Sequence, residues 1–125
     1  MQNRRVLLAM VASTLFFTGC QSSLPAETDE SKGRELLKVC LEAWKRGEAP
    51  DQLVKGSPSI VARDPDWIAG LKLTNYEIDP QNERAGVDLQ VAVKLFVARG
   101  DAKPVEKKVK FTVGIGSTNV CMRNE

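Results

Sequence analysis

The chain has 125 residues, with 18 Lys+Arg against 16 Asp+Glu, three cysteines and no histidine. That length supports one domain and not two. Lacking histidine, it has no Ser-His-Asp triad, no Cys-His nucleophile pair and no imidazole metal site, and three cysteines fall short of a four-thiolate zinc centre.

Arg4 and Arg5 open the chain with charge. Val6 to Phe17 is an apolar run broken only by Ser13 and Thr14, too short to span a bilayer comfortably. It ends in Phe17-Thr18-Gly19-Cys20, small residues leading into a cysteine. This order resembles a bacterial lipoprotein signal (a lipobox), with Phe17 where Leu is commonest. The resemblance implies cleavage of residues 1–19, lipidation of Cys20 and a membrane partner reached through that lipid anchor. Two or three acyl chains hold stably where one is marginal. Gln21 in place of Asp points to the outer membrane and its periplasmic face. An ordinary cysteine beyond a cleavage site, or an uncleaved anchor, are the other readings. Cleavage removes Arg4 and Arg5 and leaves 16 residues of each charge sign, so nucleic acid, which needs a basic face, is excluded as a partner.

Residues 20–30 are polar, carry Pro25 and read as a tether, leaving residues 31–125 as the domain. From 31 to 46, Leu36, Leu37, Cys40, Leu41 and Trp44 recur at helical spacing. Thr28 or Ser31 caps the start and Gly47 stops the helix. Lys38, Glu42 and Arg46 step by four along its outer side, as solvated ion pairs do. Pro50 to Val54 predicts one helical turn, and Ile60 to Ala62 a short strand.

Asp64-Pro65-Asp66-Trp67 reads first as a capped turn, with Asp64 as cap, Pro65 in the first turn and Trp67 closing one end of the fold. The competing reading is a carboxylate pair beside an aromatic wall. Leu71 to Ile78 predicts a strand whose alternation slips, which a bulge near Thr74-Asn75 reconciles. Asp79 to Gly86 predicts a polar turn. Val87 to Val97 alternates apolar and polar throughout, as a strand with one buried face does. After a loop at Arg99 to Pro104, Val105 to Ile115 alternates again, with Lys107 on the inward track. Thr118 to Arg123 closes the chain with Val120 and Met122 inward, which turns Cys121 outward, whereas Cys40 lies on the helix's buried face. An oxidising compartment favours a Cys40–Cys121 disulfide, this strand parity opposes it, and two free thiols are the alternative.

These elements define an α+β fold: one N-terminal helix packed on a curved antiparallel sheet of about four strands. The order resembles cystatin-like and NTF2-like rolls. Ala43-Trp44-Lys45-Arg46-Gly47, Asp64-Pro65-Asp66-Trp67 and the long strands also resemble a family of small bacterial envelope proteins with no established activity. Three functions stay open. The favoured one is a non-catalytic module that binds an envelope protein or a small ligand. The second is an NTF2-like cone, ligand-binding or enzymatic, using Tyr76 with an Asp such as Asp88. The third is a structural envelope component. Trp44, Asp64, Asp66, Trp67, Tyr76 and Asp88 line the candidate pocket. No catalytic residue, metal or cofactor is assigned. Lys107, Lys108 and Lys110, with Arg99 and Lys103 nearby, make a mildly basic surface.

Overall fold

Helix α1 (Glu30–Lys45) forms where the apolar spacing places it and buries Gly33, Leu36, Leu37, Cys40, Leu41, Ala43 and Trp44 on one face. The computed structural model describes residues 27–124; the signal segment, Cys20 and the tether to residue 26 lie outside them. Asp29, rather than Thr28 or Ser31, caps the helix, its carboxylate accepting from the Lys32 N–H at 3.0 Å. Thr28 is buried instead: its N–H donates to Val87 at 2.8 Å and its hydroxyl accepts from the Ile115 N–H at 3.2 Å. The chain is therefore fixed to the domain before residue 30, where the tether was expected to end. At the other end Gly47 takes φ +89°, a left-handed stop open to glycine at little cost.

Two short turns follow, α2 (Pro50–Val54) and, after strand β1 (Ile60–Arg63), α3 (Pro65–Ile68). Strands β2 (Lys72–Ala85), β3 (Asp88–Ala98), β4 (Val105–Gly114) and β5 (Asn119–Arg123) complete one sheet of order β1-β5-β4-β3-β2. The fold is α+β as expected, with two corrections. The sheet has five strands rather than about four, and it is mixed, because β1 runs parallel to β5 while all other pairs are antiparallel. A four-residue strand pairing across some sixty positions leaves no local signal of its direction.

A third correction is the length of strand β2. Its pairing slips between Leu73 and Asn75, as the broken alternation predicts, and again between Ile78 and Asn82. The strand then continues to Ala85 through residues read as a turn. Pro80 is tolerated because it falls in the second irregularity of an edge strand. Side chains hold this polar extension: Arg34 donates to Asn82 at 3.3 Å and to the Asp79 carbonyl, and Arg84 donates to the Thr28 carbonyl at 2.7 Å. Only Gly86 and Val87 remain for the loop, and Gly86 takes φ +65°.

Leu89, Val91, Val93, Leu95 and Val97 of β3 and Phe111 and Val113 of β4 meet the helix in one core. The last strand reverses the predicted parity. Cys121 pairs with the inward Val113 and is buried, whereas Val120 is only half-buried and Met122 faces solvent. Paired residues share a face of the sheet, so the register outweighs the apolarity of Val120 and Met122. Cysteine, moreover, is among the residues most often buried.

Candidate functional site

Three places collect the candidate residues. The first is the end of the molecule beyond the C-terminus of α1. There Trp44 and Trp67 stack face to face, with ring centres 5.4 Å apart and planes 8° apart. Each indole N–H is satisfied by a backbone carbonyl at 2.8 Å, Trp44 by Leu71 and Trp67 by Glu48. Asp64 caps α3 by accepting from the Asp66 N–H at 2.8 Å and the Trp67 N–H at 3.2 Å, which swings Trp67 onto Trp44.

Both carboxylates are met by cations that are distant in sequence but brought to the same end of the sheet by its register. Arg123 reaches Asp64 at 3.2 Å and Asp66 at 2.7 Å, and Lys107 reaches Asp66 at 2.8 Å. The inward track of β4 explains Lys107: it finds Asp66 rather than solvent. Burial pushes the Asp64 carboxyl up, and neither its N–H donors nor Arg123 pull it back to the ordinary value. Burial acts on Asp66 too, but Arg123 and Lys107 outweigh it and hold that carboxyl below the ordinary range. Two acids and two bases neutralise each other here, so the cluster fastens α3 to the sheet and leaves no charge aimed at a ligand.

The second place is Tyr76. Its phenol donates to the Glu42 carboxylate on α1, a short hydrogen bond, and the Lys45 ammonium lies 6.0 Å from the ring centre. Burial first, and then the Glu42 carboxylate, push the phenol up to about 12. The predicted row Lys38–Glu42–Arg46 is thereby taken apart, since Glu42 accepts from Tyr76 and Arg46 pairs with Glu48 at 2.7 Å. Asp88 does not join Tyr76. Tyr76 pairs with Leu95 and Asp88 with Ala85, at opposite ends of the β2–β3 ladder, roughly 23 Å apart at strand rise. The Asp88 carboxylate lies against Gly114 instead. The six pocket candidates therefore split into an aromatic and acidic group of four, Tyr76 with Glu42, and a solitary Asp88.

Between α1 and the sheet, the hollow lined by Cys40, Leu41, Trp44, Ala62, Trp67 and Cys121 measures about 10 Å³. A water needs about that much or more, so this interior is filled by side chains.

The third place is the face of the sheet turned away from the helix. Lys94 of β3 stands directly opposite Lys108 of β4, and Ala92 opposite Lys110. The small Ala92 leaves a trough between these lysines. Three adjoining hollows of about 380, 140 and 650 Å³ all include Ala92 in their walls, with Lys94, Lys108 and Lys110 on one side and Glu77, Asp79 and Glu83 of β2 on the other. Lys110 approaches Glu83 at 3.8 Å across well-solvated space, which screens the pair. Of the basic residues marked in the sequence, Lys108 and Lys110 lie here, Lys107 does not, and Lys94 joins them. Counting strand parity from Val93 opposite Val109 is the signal that finds Lys94.

Among the described residues no helix is long and apolar enough to cross a membrane, and no group of three or more His, Cys, Asp and Glu is placed to hold a metal ion. Comparison with protein-family models, with curated proteins and with solved structures gives no match.

Proposed function

We propose that this chain is a lipoprotein of the bacterial cell envelope, anchored through Cys20 at the periplasmic face of the outer membrane, and that it acts there as a non-catalytic binding module. Its domain is a small roll of the cystatin-like kind, a helix cradled by a curved sheet. The observation that carries the binding role is the trough around Ala92, with Lys94, Lys108 and Lys110 on its walls. Like charges placed directly opposite each other on paired strands oppose sheet formation. Glu77 of β2 stands opposite Lys94 on its other side and answers one of these charges, so the row Glu77–Lys94–Lys108 leaves one lysine in excess, which an acidic partner relieves. That partner is a protein of the envelope presenting carboxylates, and charge complementarity sets its orientation and encounter rate.

An enzymatic or ligand-binding cone needs a cavity between helix and sheet. The filled interior and the separation of Tyr76 from Asp88 give that reading no support.

The test is cross-linking in intact cells, comparing the natural chain with Lys94→Glu/Lys108→Glu/Lys110→Glu. The natural chain is expected to give a discrete cross-linked partner, and the triple variant to lose it while its unfolding free energy stays within about 0.5 kcal/mol. Retention of the same cross-link by the folded triple variant overturns the assigned surface. Mass spectrometry of the membrane-extracted chain is expected to give a start at Cys20 carrying acyl chains; an unmodified Met1 start overturns the anchor.

A further inference from the structure

Cys40 sits on the buried face of α1 and Cys121 on the inward track of β5, both essentially without solvent exposure. The structure holds them as free thiols. They line the same small hollow between helix and sheet. No other cysteine falls among the described residues. Two thiols brought from positions 40 and 121 to the walls of one hollow of about 10 Å³ make a specific placement. Each acts as a small hydrophobe there, but nothing in apolar packing requires that both be sulfur.

We propose that Cys40 and Cys121 are joined in the mature protein by an intramolecular disulfide, formed while the chain folds, that clamps β5 to α1. The clamp falls where the sheet is otherwise least supported. Strand β5 has five residues, it alone carries the edge strand β1, and it ends in the Arg123 that neutralises Asp64 and Asp66. A bond from its centre to the helix fixes all three. The linked loop is about 80 residues long, in the range where closure removes the most freedom from the unfolded chain.

The chemistry is thiol–disulfide exchange. One cysteine thiolate attacks a disulfide-bearing donor, such as oxidised glutathione or a disulfide oxidoreductase, and expels one donor thiolate. The second cysteine thiolate attacks the mixed disulfide and expels the other. Two protons and two electrons leave the protein, and one donor disulfide becomes two thiols. Inside the folded core, the neighbouring sulfhydryl and burial push the Cys121 thiol up, and solvent does not reach either sulfur. Oxidation therefore belongs to folding, before β5 docks, and the finished reduced core resists it. The inference does not depend on lipid at Cys20.

The experiment refolds the full, unlipidated chain from denaturant in a glutathione redox buffer, and in parallel exposes the already folded, reduced chain to the same buffer. Free thiols are then alkylated after unfolding, and peptides are mapped without reduction. The refolded sample is expected to yield one linked peptide pair, Cys40 to Cys121, with Cys20 alkylated, and a higher unfolding midpoint that returns to the reduced value on adding reductant. The folded reduced sample is expected to keep both thiols for many times longer. Alkylation of both core thiols in a refolded sample with native circular dichroism overturns the proposal, as does linkage of either one to Cys20. A Cys40–Cys121 bond that lowers the midpoint overturns the clamp.

Discussion

Tyr76 is the only tyrosine in the chain, so its ionisation is read directly from tyrosinate absorbance. Its phenol donates to Glu42 and is pushed up to about 12 from an ordinary 10.0. Glu42→Gln removes the negative partner and leaves only partial burial, so the titration is expected to move back toward the ordinary value. An unchanged titration would show that the phenol does not meet Glu42 in solution. Asp64 offers a sharper dissection. It combines a cap with a buried charge, and its raised carboxyl shows that pairing with Arg123 does not offset the loss of water. Asp64→Asn keeps an oxygen for the Asp66 and Trp67 N–H groups, and Arg123 keeps Asp66, so the expected loss is about 1 kcal/mol. Asp64→Ala loses cap and partner together and is expected to lose roughly 3 kcal/mol. Urea midpoints separate the two; equal losses would mean that the charge, not the cap, fastens α3. From the sequence, Asp64 as a cap with Pro65 after it was readable because the signal is local. Arg123 as its closing partner, and Lys107 as that of Asp66, were not, since they lie more than forty positions away and only the sheet register brings them there.

At the scale of elements, Gly33 shows how closely α1 lies on the sheet. A β-carbon built there would stand 2.6 Å from Leu89 Cδ1 and 3.2 Å from Thr28 Cγ2. Leu89 is fully buried and has nowhere to turn. Alanine improves helix propensity by about 1 kcal/mol, but overpacking of this kind costs about 1–3 kcal/mol. Gly33→Ala is therefore expected to lower stability by roughly 1 kcal/mol in urea unfolding, and a stabilised variant would mean that the helix can lift off β3. Strand β3 was the most legible element, because the ten residues from Asp88 to Val97 alternate without a break and one face is wholly apolar. Strand β5 was misread by one residue, which moves every side chain to the other face. In five residues, Val120 and Met122 outvoted Cys121 and Arg123 on hydrophobicity, and the deciding fact, Val113 opposite Cys121, is a pairing and not a local pattern. The polar half of β2 was hidden for a similar reason. Its strand character comes from the ladder of Asn82–Ala85 with Asp88–Val91 of β3, supported by Arg34 and Arg84 bonding across the fold, while its own composition says turn.

Taken as a whole, the domain has a sheet with one face sealed by α1 and the other left open. One end holds the Asp64–Asp66–Arg123–Lys107 cluster, and Glu42 with Tyr76 lies on the helix side above it. Among these carboxyls Asp64 is raised while Asp66 and Glu42 are lowered, which gives the stability an unusual dependence on acid. Asp64 has a folded value above its ordinary 3.8. As pH falls from neutral, the folded state takes this proton before the unfolded state does, so stability rises in the window just above 3.8. Asp66 and Glu42 are depressed below 3.8 and 4.5. Their contribution is complete above those ordinary values and is lost as pH falls toward the folded ones, because the unfolded chain protonates first. The urea midpoint is therefore expected to pass through a shallow maximum on the acid side of neutrality and then to fall steeply. Asp64→Asn should abolish the maximum and keep the fall, while Asp66→Asn should keep the maximum and reduce the fall. A natural chain whose midpoint declines steadily from neutral pH would mean that Arg123 compensates Asp64 fully, and the cluster would then be a stabilising network in its own right rather than a buried charge held in place by the fold around it.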